Sequence, residues 1–157
     1  MTIAPTRIGS RNFSRDMKEI KHVIEGLAES VIKKVAVKTL GILVQRSPIL
    51  TGRYVSSHKV VGDKMMDMPE REEQKNRRSA ASTAMSRGQN TIGRMENPKS
   101  ITIENTVHYA QNVETGWHFE HGAAPGYFVY THTANDMLEE TPRIIKEEEA
   151  KAKLNEL

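Results

Sequence analysis

The chain is 157 residues long, one domain's length with room for a core, yet it is only 37% hydrophobic, with eight aromatic residues among Trp, Tyr and Phe. It has no cysteine, which excludes disulfides and thiolate metal sites, and no apolar run approaches the roughly 18 residues of a membrane span. The net charge of +3 conceals a polarity, since Lys and Arg stand at 11 against 4 acidic residues over 1–62, at 8 against 6 over 63–100, and at 4 against 10 over 101–157.

Residues 1–13 hold Pro5 and Gly9 without periodicity and read as an N-terminal arm, followed by a single α+β domain over 14–157. The opening MTIAPTRIGSRNFSRD lacks the apolar run of a secretion signal, so a soluble protein made in the cytoplasm is expected. A long helix is predicted from Asp16 to Gln45, with Ser14 as its N-cap. Met17, Ile20, Ile24, Leu27, Val31 and Val35, then Leu40 and Leu43, mark one buried stripe. Ser47-Pro48 stops it, because proline cannot donate the next hydrogen bond.

Leu50-Thr51-Gly52-Arg53 reads as a turn into a strand over Tyr54–Val61, closed by Gly62-Asp63. The stretch 65–87 reads as a charged loop followed by an Ala/Ser-rich helix. With Gly88, Gly93, Asn97 and Pro98, residues 88–99 read as another loop, making 65–99 a candidate mobile insertion. Ser100–Val107 alternates β-branched with polar residues and predicts a strand. A turn or helix is expected over His108–Glu114, a loop over TGWHFEHGAAPG, and a short strand or bend over Tyr127–Thr131. The last helix is expected from Thr133, with a kink at Thr141-Pro142. There is no internal repeat.

Chemical motifs are scarce. The chain carries no phosphate loop, dinucleotide fingerprint or nucleophile elbow. His118-x-x-His121, with Glu114 and Glu120 nearby, is the best candidate for a metal or acid/base site. The surrounding Gly and Pro place these residues in a loop, without the helical spacing of zinc hydrolases, so exposed or packing histidines are expected instead. The basic half could touch nucleic-acid phosphates without reading sequence, or meet the acidic half of another subunit. Two solvated helices of opposite sign are the plain alternative.

Two constellations of a structural kind remain. One is Pro48-Ile-Leu-Thr-Gly-Arg53 at the exit of the long helix, where Gly52 can supply a turn and Arg53 can hold the junction. The other runs Ile101-Thr-Ile-Glu-Asn105, Tyr109-Ala110, Val113-Glu114-x-Gly116 and Ala124-Pro125-Gly-Tyr-Phe128. Its order is strand, corner, helical turn and glycine stop, with Tyr109 and Phe128 as core anchors and Glu114 capping or ion-pairing across the corner.

In this order and spacing the chain resembles the phage tail-component family over roughly 16–150. That family includes tail-completion proteins of the minor tail protein Z type and related neck proteins. Thr51, Gly52, Arg53, Asn105, Tyr109, Ala110, Glu114 and Gly116 fall where the family pattern expects them. His108, where many members have Pro, and the HFEH stretch after Gly116 depart from it.

The resemblance implies an α+β subunit whose N- and C-terminal helices pack on a small, mostly antiparallel sheet. It implies a non-catalytic virion protein without cofactor at the head–tail junction. Such a subunit would form a homo-oligomeric ring, a hexamer or dodecamer, around the DNA channel. Portal or adaptor proteins would lie on its head side and a tail terminator or tail tube protein on the other, with non-specific contact to channel DNA and none to a membrane. Arg7, Arg11, Arg15, Lys33 and Lys34 at the basic end, with Glu147, Glu148 and Glu149 at the acidic end, are the expected interface charges. A non-specific nucleic-acid-binding accessory protein is the alternative reading.

Overall fold

A computed structural model describes residues 10–48, 52–67 and 77–154, with backbone alone for 10–17, 19, 77 and 78. Arg7 and Thr51 lie outside the described residues, as do the side chains of Arg11 and Arg15. The fold is α+β: long N- and C-terminal helices packed with two small antiparallel sheets.

Helix α1 spans Ser10–Arg46, so residues 10–13 belong to the helix and not to an arm. It stops where expected: the Ser47 hydroxyl donates to the Leu43 carbonyl at 2.6 Å, closing the last turn just before Pro48. The predicted stripe divides along its length. Leu40 and Leu43 are buried, with Ala36 and Val44 beside them from outside the stripe, whereas Ile20 and Ile24 remain exposed, as does neighbouring Val23. Leu40 and Val44 pack in one cluster with Val55, Val60, Ala84 and Ile92, while Leu43 joins a second with Tyr54, Val113 and Val129. Full burial of a leucine contributes roughly 1.5–3 kcal/mol, so the stability of α1 resides in this C-terminal half.

The predicted strand over Tyr54–Val61 starts late. Arg53–Ser56 makes a helical turn, α2, and β1 follows over His58–Gly62. The Ser56 and Ser57 hydroxyls both donate to the Arg53 carbonyl, at 3.1 and 2.7 Å, a local bonding pattern that competes with extended backbone. Strand β1 pairs antiparallel with β2, Ile101–Asn105, with Val60 opposite Ile103.

Between these strands runs α3, Arg77–Arg94, which includes seven of the residues expected as a loop. Gly88 is the reason for the difference. A Cβ there would lie 2.3 Å from Cδ2 of Leu40, so this glycine permits two helices to approach and does not break one. Ala80, Ala84 and Ile92 make α3 part of the core.

The corner helix α4 covers Ala110–Thr115. The expected loop after it is a β-hairpin, β3 Gly116–Phe119 and β4 Gly122–Pro125, with Trp117 opposite Ala124. Helix α5 spans Val129–Leu154, beginning inside the expected strand or bend and continuing through Pro142. Phe128 is 43% exposed with φ 48°, so it is no core anchor.

Helix α5 lies antiparallel along α1, joined by Arg46–Asp136 at 2.6 Å, Lys38–Glu140 at 3.7 Å, and Lys34–Glu148. The charge polarity of the sequence is therefore met partly within one chain. No helix among the described residues is long and apolar enough to cross a membrane.

Candidate functional site

The residues of the two constellations meet at one corner of the fold, between the exit of α1 and the start of α5. Gly52 sits in the left-handed region, φ 75° and ψ −13°, and begins α2 without a side-chain cap. Its carbonyl accepts from the Ser56 amide at 3.0 Å. Asn105, at the end of β2, ties this turn to the next one. Its side-chain amide donates to the Tyr54 carbonyl at 2.8 Å, and its Oδ1 accepts from the Val107 amide at 3.1 Å. The Thr106 amide adds a bond to the Ser57 carbonyl at 3.1 Å. One asparagine thus satisfies backbone groups on two turns that are far apart in sequence.

Tyr109 precedes α4 and packs, half-buried, beside Ala110 and Trp117 against the second core cluster. Glu114 caps α5. Its carboxylate accepts from the Tyr130 and Thr131 amides, both at 2.9 Å, and from the Thr131 hydroxyl at 2.7 Å. Burial by itself would raise its pKa, but the bonds from Thr131 and Tyr130 outweigh this and hold the carboxyl below its usual range. A carboxylate there also meets the positive end of the α5 dipole.

Gly116 ends α4 with φ 101° and ψ 172°, a region essentially closed to other residues, and a Cβ would meet the Ala124 carbonyl at 2.4 Å. Gly126, not singled out from the sequence, is equally constrained: a Cβ there would lie 2.1 Å from the Glu114 carbonyl. The Tyr127 and Phe128 amides close the corner onto the carbonyls of Val113 and Glu114, at 2.7 and 3.1 Å.

Beneath the corner lies a buried polar cluster that sequence patterns did not reveal. His58 is completely buried, with Nε2 2.7 Å from the Ser47 hydroxyl and Nδ1 3.0 Å from the Tyr130 hydroxyl. Because Ser47 donates to Leu43, its oxygen accepts from Nε2–H. Nδ1 then accepts from Tyr130, which assigns a neutral imidazole. Burial, reinforced by the Arg87 charge, lowers its pKa to about 4.

Arg87 donates to Asp67 at 3.0 Å, to the Ser56 carbonyl at 3.0 Å and to the His58 carbonyl. Asp67 in turn accepts from the Val60 amide at 2.7 Å. These groups fasten α2 and β1 to α3. Ser47 and His58 resemble a nucleophile and base in type, but both are buried and engaged by their neighbours. The only clue in the sequence was His58 in an apolar strand, and the 20-residue separation of Asp67 and Arg87 follows no periodicity.

The remaining candidates lie apart from the corner. His118 and His121 are exposed on the β3–β4 hairpin, and among the described residues no group of three His, Cys, Asp or Glu could hold a metal. Lys33 pairs with Glu29 at 2.6 Å. Glu148 is buried, accepting from Ser30, Lys34 and Lys151, and the bonds from Lys34 and then Ser30 lower its pKa to about 2. Lys34 and Glu148 therefore bind one another within the chain and are not the free interface charges expected. Glu147 and Glu149 are exposed.

An aromatic pocket of about 480 Å³ opens beside the corner, lined in part by Tyr54, Tyr109, Trp117 and Tyr127. The buried Tyr54 hydroxyl has no hydrogen-bond partner among the described residues. No family model, curated protein or solved structure matches the chain.

Proposed function

We propose that the chain is a structural subunit of a tailed-bacteriophage neck that assembles into a ring around the DNA channel and joins the head connector to the tail. The observation that carries this reading is the work done by the family-like residues. Gly52, Asn105, Glu114 and Gly116 all build one rigid corner by turn, clamp, cap and stop. Such a corner holds a surface in place, as a joining subunit requires.

Portal or adaptor proteins on one side and a tail terminator or tube protein on the other are the proposed neighbours. Pairing of Lys34, Lys38 and Arg46 with α5 leaves fewer cations to displace counterions from DNA, which favours a subunit over a nucleic-acid-binding accessory protein. Deleting the gene from the phage that encodes it and imaging the lysate tests the reading. Filled heads and finished tails that fail to join are expected. Stable head–tail junctions without the protein, or its absence from purified particles, would overturn the proposal.

A further inference from the structure

Helix α1 outruns its partner. Lys34 faces Glu148 and Arg46 faces Asp136, so Leu154, the last residue of α5, falls opposite about residue 28 of α1. Residues 10–27 project beyond it, which at about 1.5 Å per residue is an overhang of roughly 27 Å. On this overhang Ile20, Val23 and Ile24 are 51%, 46% and 60% exposed. In sequence the four- and three-residue steps run from Met17 through Ile20, Ile24 and Leu27 to Val31, continuous with the face that α5 covers further along.

A helical segment of this length, with β-branched residues and Gly26 within it, gains little from propensity alone. Its apolar face needs cover. The same chain carries an apolar groove in need of filling: a cleft of about 550 Å³ between α1, β2 and α5, lined by Val31, Val35, Ile101, Ile103, Ala134 and Met137 among others. The overhang cannot reach this groove in its own chain, because residues 20–27 and 31–35 lie on one continuous helix.

We infer that the α1 overhang of one copy seats in the α1/β2/α5 groove of a second copy. A single contact then covers the two unsatisfied apolar surfaces, as when an amphipathic helix enters a groove through i, i+3, i+4 and i+7 anchors. Burying about a third to a half of a helix of ~10 Å diameter over this length covers roughly 350 Å². Each contact buries the overhang of one copy and the groove of the next, roughly 350 Å² per partner, which is under half of the ~800 Å² per partner of a stable interface, so the copies hold together by making two such contacts each in a closed series. Pairing of overhang with overhang would leave the groove open. The inference stands on the chain's own surfaces and does not depend on the neck reading, although a head-to-tail series of such contacts is what closes a ring.

Sedimentation velocity of the full chain with four samples tests it: wild type, two variants and an equal mixture of the variants. Ile24→Asp spoils the overhang at an exposed position, and Ala134→Arg obstructs the groove from an exposed helical position, so neither disturbs the core. Circular dichroism melts verify that both fold. Wild type should self-associate, and each variant alone should lose affinity by about a hundredfold. An equal mixture should recover a one-to-one complex, because the Ala134→Arg chain retains an intact overhang and the Ile24→Asp chain an intact groove. A monomeric wild type at about 100 µM, near-normal association of Ala134→Arg, or a mixture that fails to recover would each overturn the inference. Normal particle assembly by a monomeric wild type would sink this contact and leave the neck reading standing.

Discussion

Lowering the pH from 7 to 5 should weaken the fold markedly through one residue, His58. Its imidazole is completely buried and neutral between Ser47 and Tyr130, close to the Arg87 guanidinium, and its pKa is lowered to about 4. In the unfolded chain the same group titrates near 6.5. As pH falls below 6.5 the unfolded state takes up a proton that the folded state refuses, so stability is complete above 6.5 and is lost on the way down to about 4. Each pH unit in that window costs about 1.4 kcal/mol, giving roughly 2 kcal/mol between pH 7 and pH 5 and about 3 kcal/mol by pH 4. Against a total stability of ~5–15 kcal/mol this is a large fraction. Glu148, with its pKa lowered to about 2, acts below the carboxylate value of 4.5 and leaves the upper window to His58. Urea unfolding followed by circular dichroism at pH 7, 6 and 5 measures the effect. A His58→Gln variant keeps an amide donor and acceptor, so it should be less stable at pH 7 yet nearly flat across the range. Equal pH dependence in the variant and the wild type, or none in the wild type, would refute the reasoning.

Three further perturbations follow from the corner and the seam. Tyr54→Phe removes the buried hydroxyl that has no partner among the described residues, and should leave stability unchanged or raise it by about 1 kcal/mol in the same unfolding assay. Gly116→Ala forces a Cβ into the Ala124 carbonyl at a φ of 101°, and should cost about 3 kcal/mol or more, read as a fall in melting temperature or loss of soluble protein. Glu148→Gln leaves Lys34 and Lys151 without their shared carboxylate. A loss of about 1 kcal/mol at pH 7 is expected, shrinking as salt is added, and a stabilised variant would contradict the pairing described here.

Periodicity disclosed the helical and strand framework wherever one face is buried and the other wet. Ile101 and Ile103 on β2 stand out because Ser100, Thr102 and Glu104 frame them, and Leu40 and Leu43 on α1 because their three-residue step continues a stripe of helical period. It failed where local chemistry or a distant partner decided the conformation. Gly88 has the look of a helix breaker and is instead the site of close approach to Leu40, a reason that resides 48 positions away. The segment TGWHFEHGAAPG has too little apolar content to mark strands, yet its backbone pairs with itself, with Gly116 turning the chain at a positive φ and Gly126 leaving room for the Glu114 carbonyl. Gly52, Asn105, Glu114 and Gly116 could be picked out, and a capping role for Glu114 with them, although its partners Tyr130 and Thr131 and the bonds of Asn105 could not. The cluster of His58, Ser47, Tyr130, Asp67 and Arg87 left no trace beyond the placement of His58 in a strand, since buried polar residues are specified by three-dimensional partners and not by period.

Charge and apolar surface also differ in what they reveal about assembly. An acidic and a basic half can meet within one chain as readily as between two, and the antiparallel packing of α1 on α5 brings Lys34, Lys38 and Arg46 onto carboxylates of the same molecule. The polarity therefore gave no reliable sign of a partner. The apolar stripe is a stricter witness, because an uncovered Ile24 cannot be satisfied by water in the way that an uncovered Lys21 can. The exposed charges that remain, such as Glu147 and Glu149, are suited to setting the rate and salt dependence of encounter. Holding power must come from apolar burial. On that argument the proposed association of copies rests on the overhang of α1, where α5 no longer covers it.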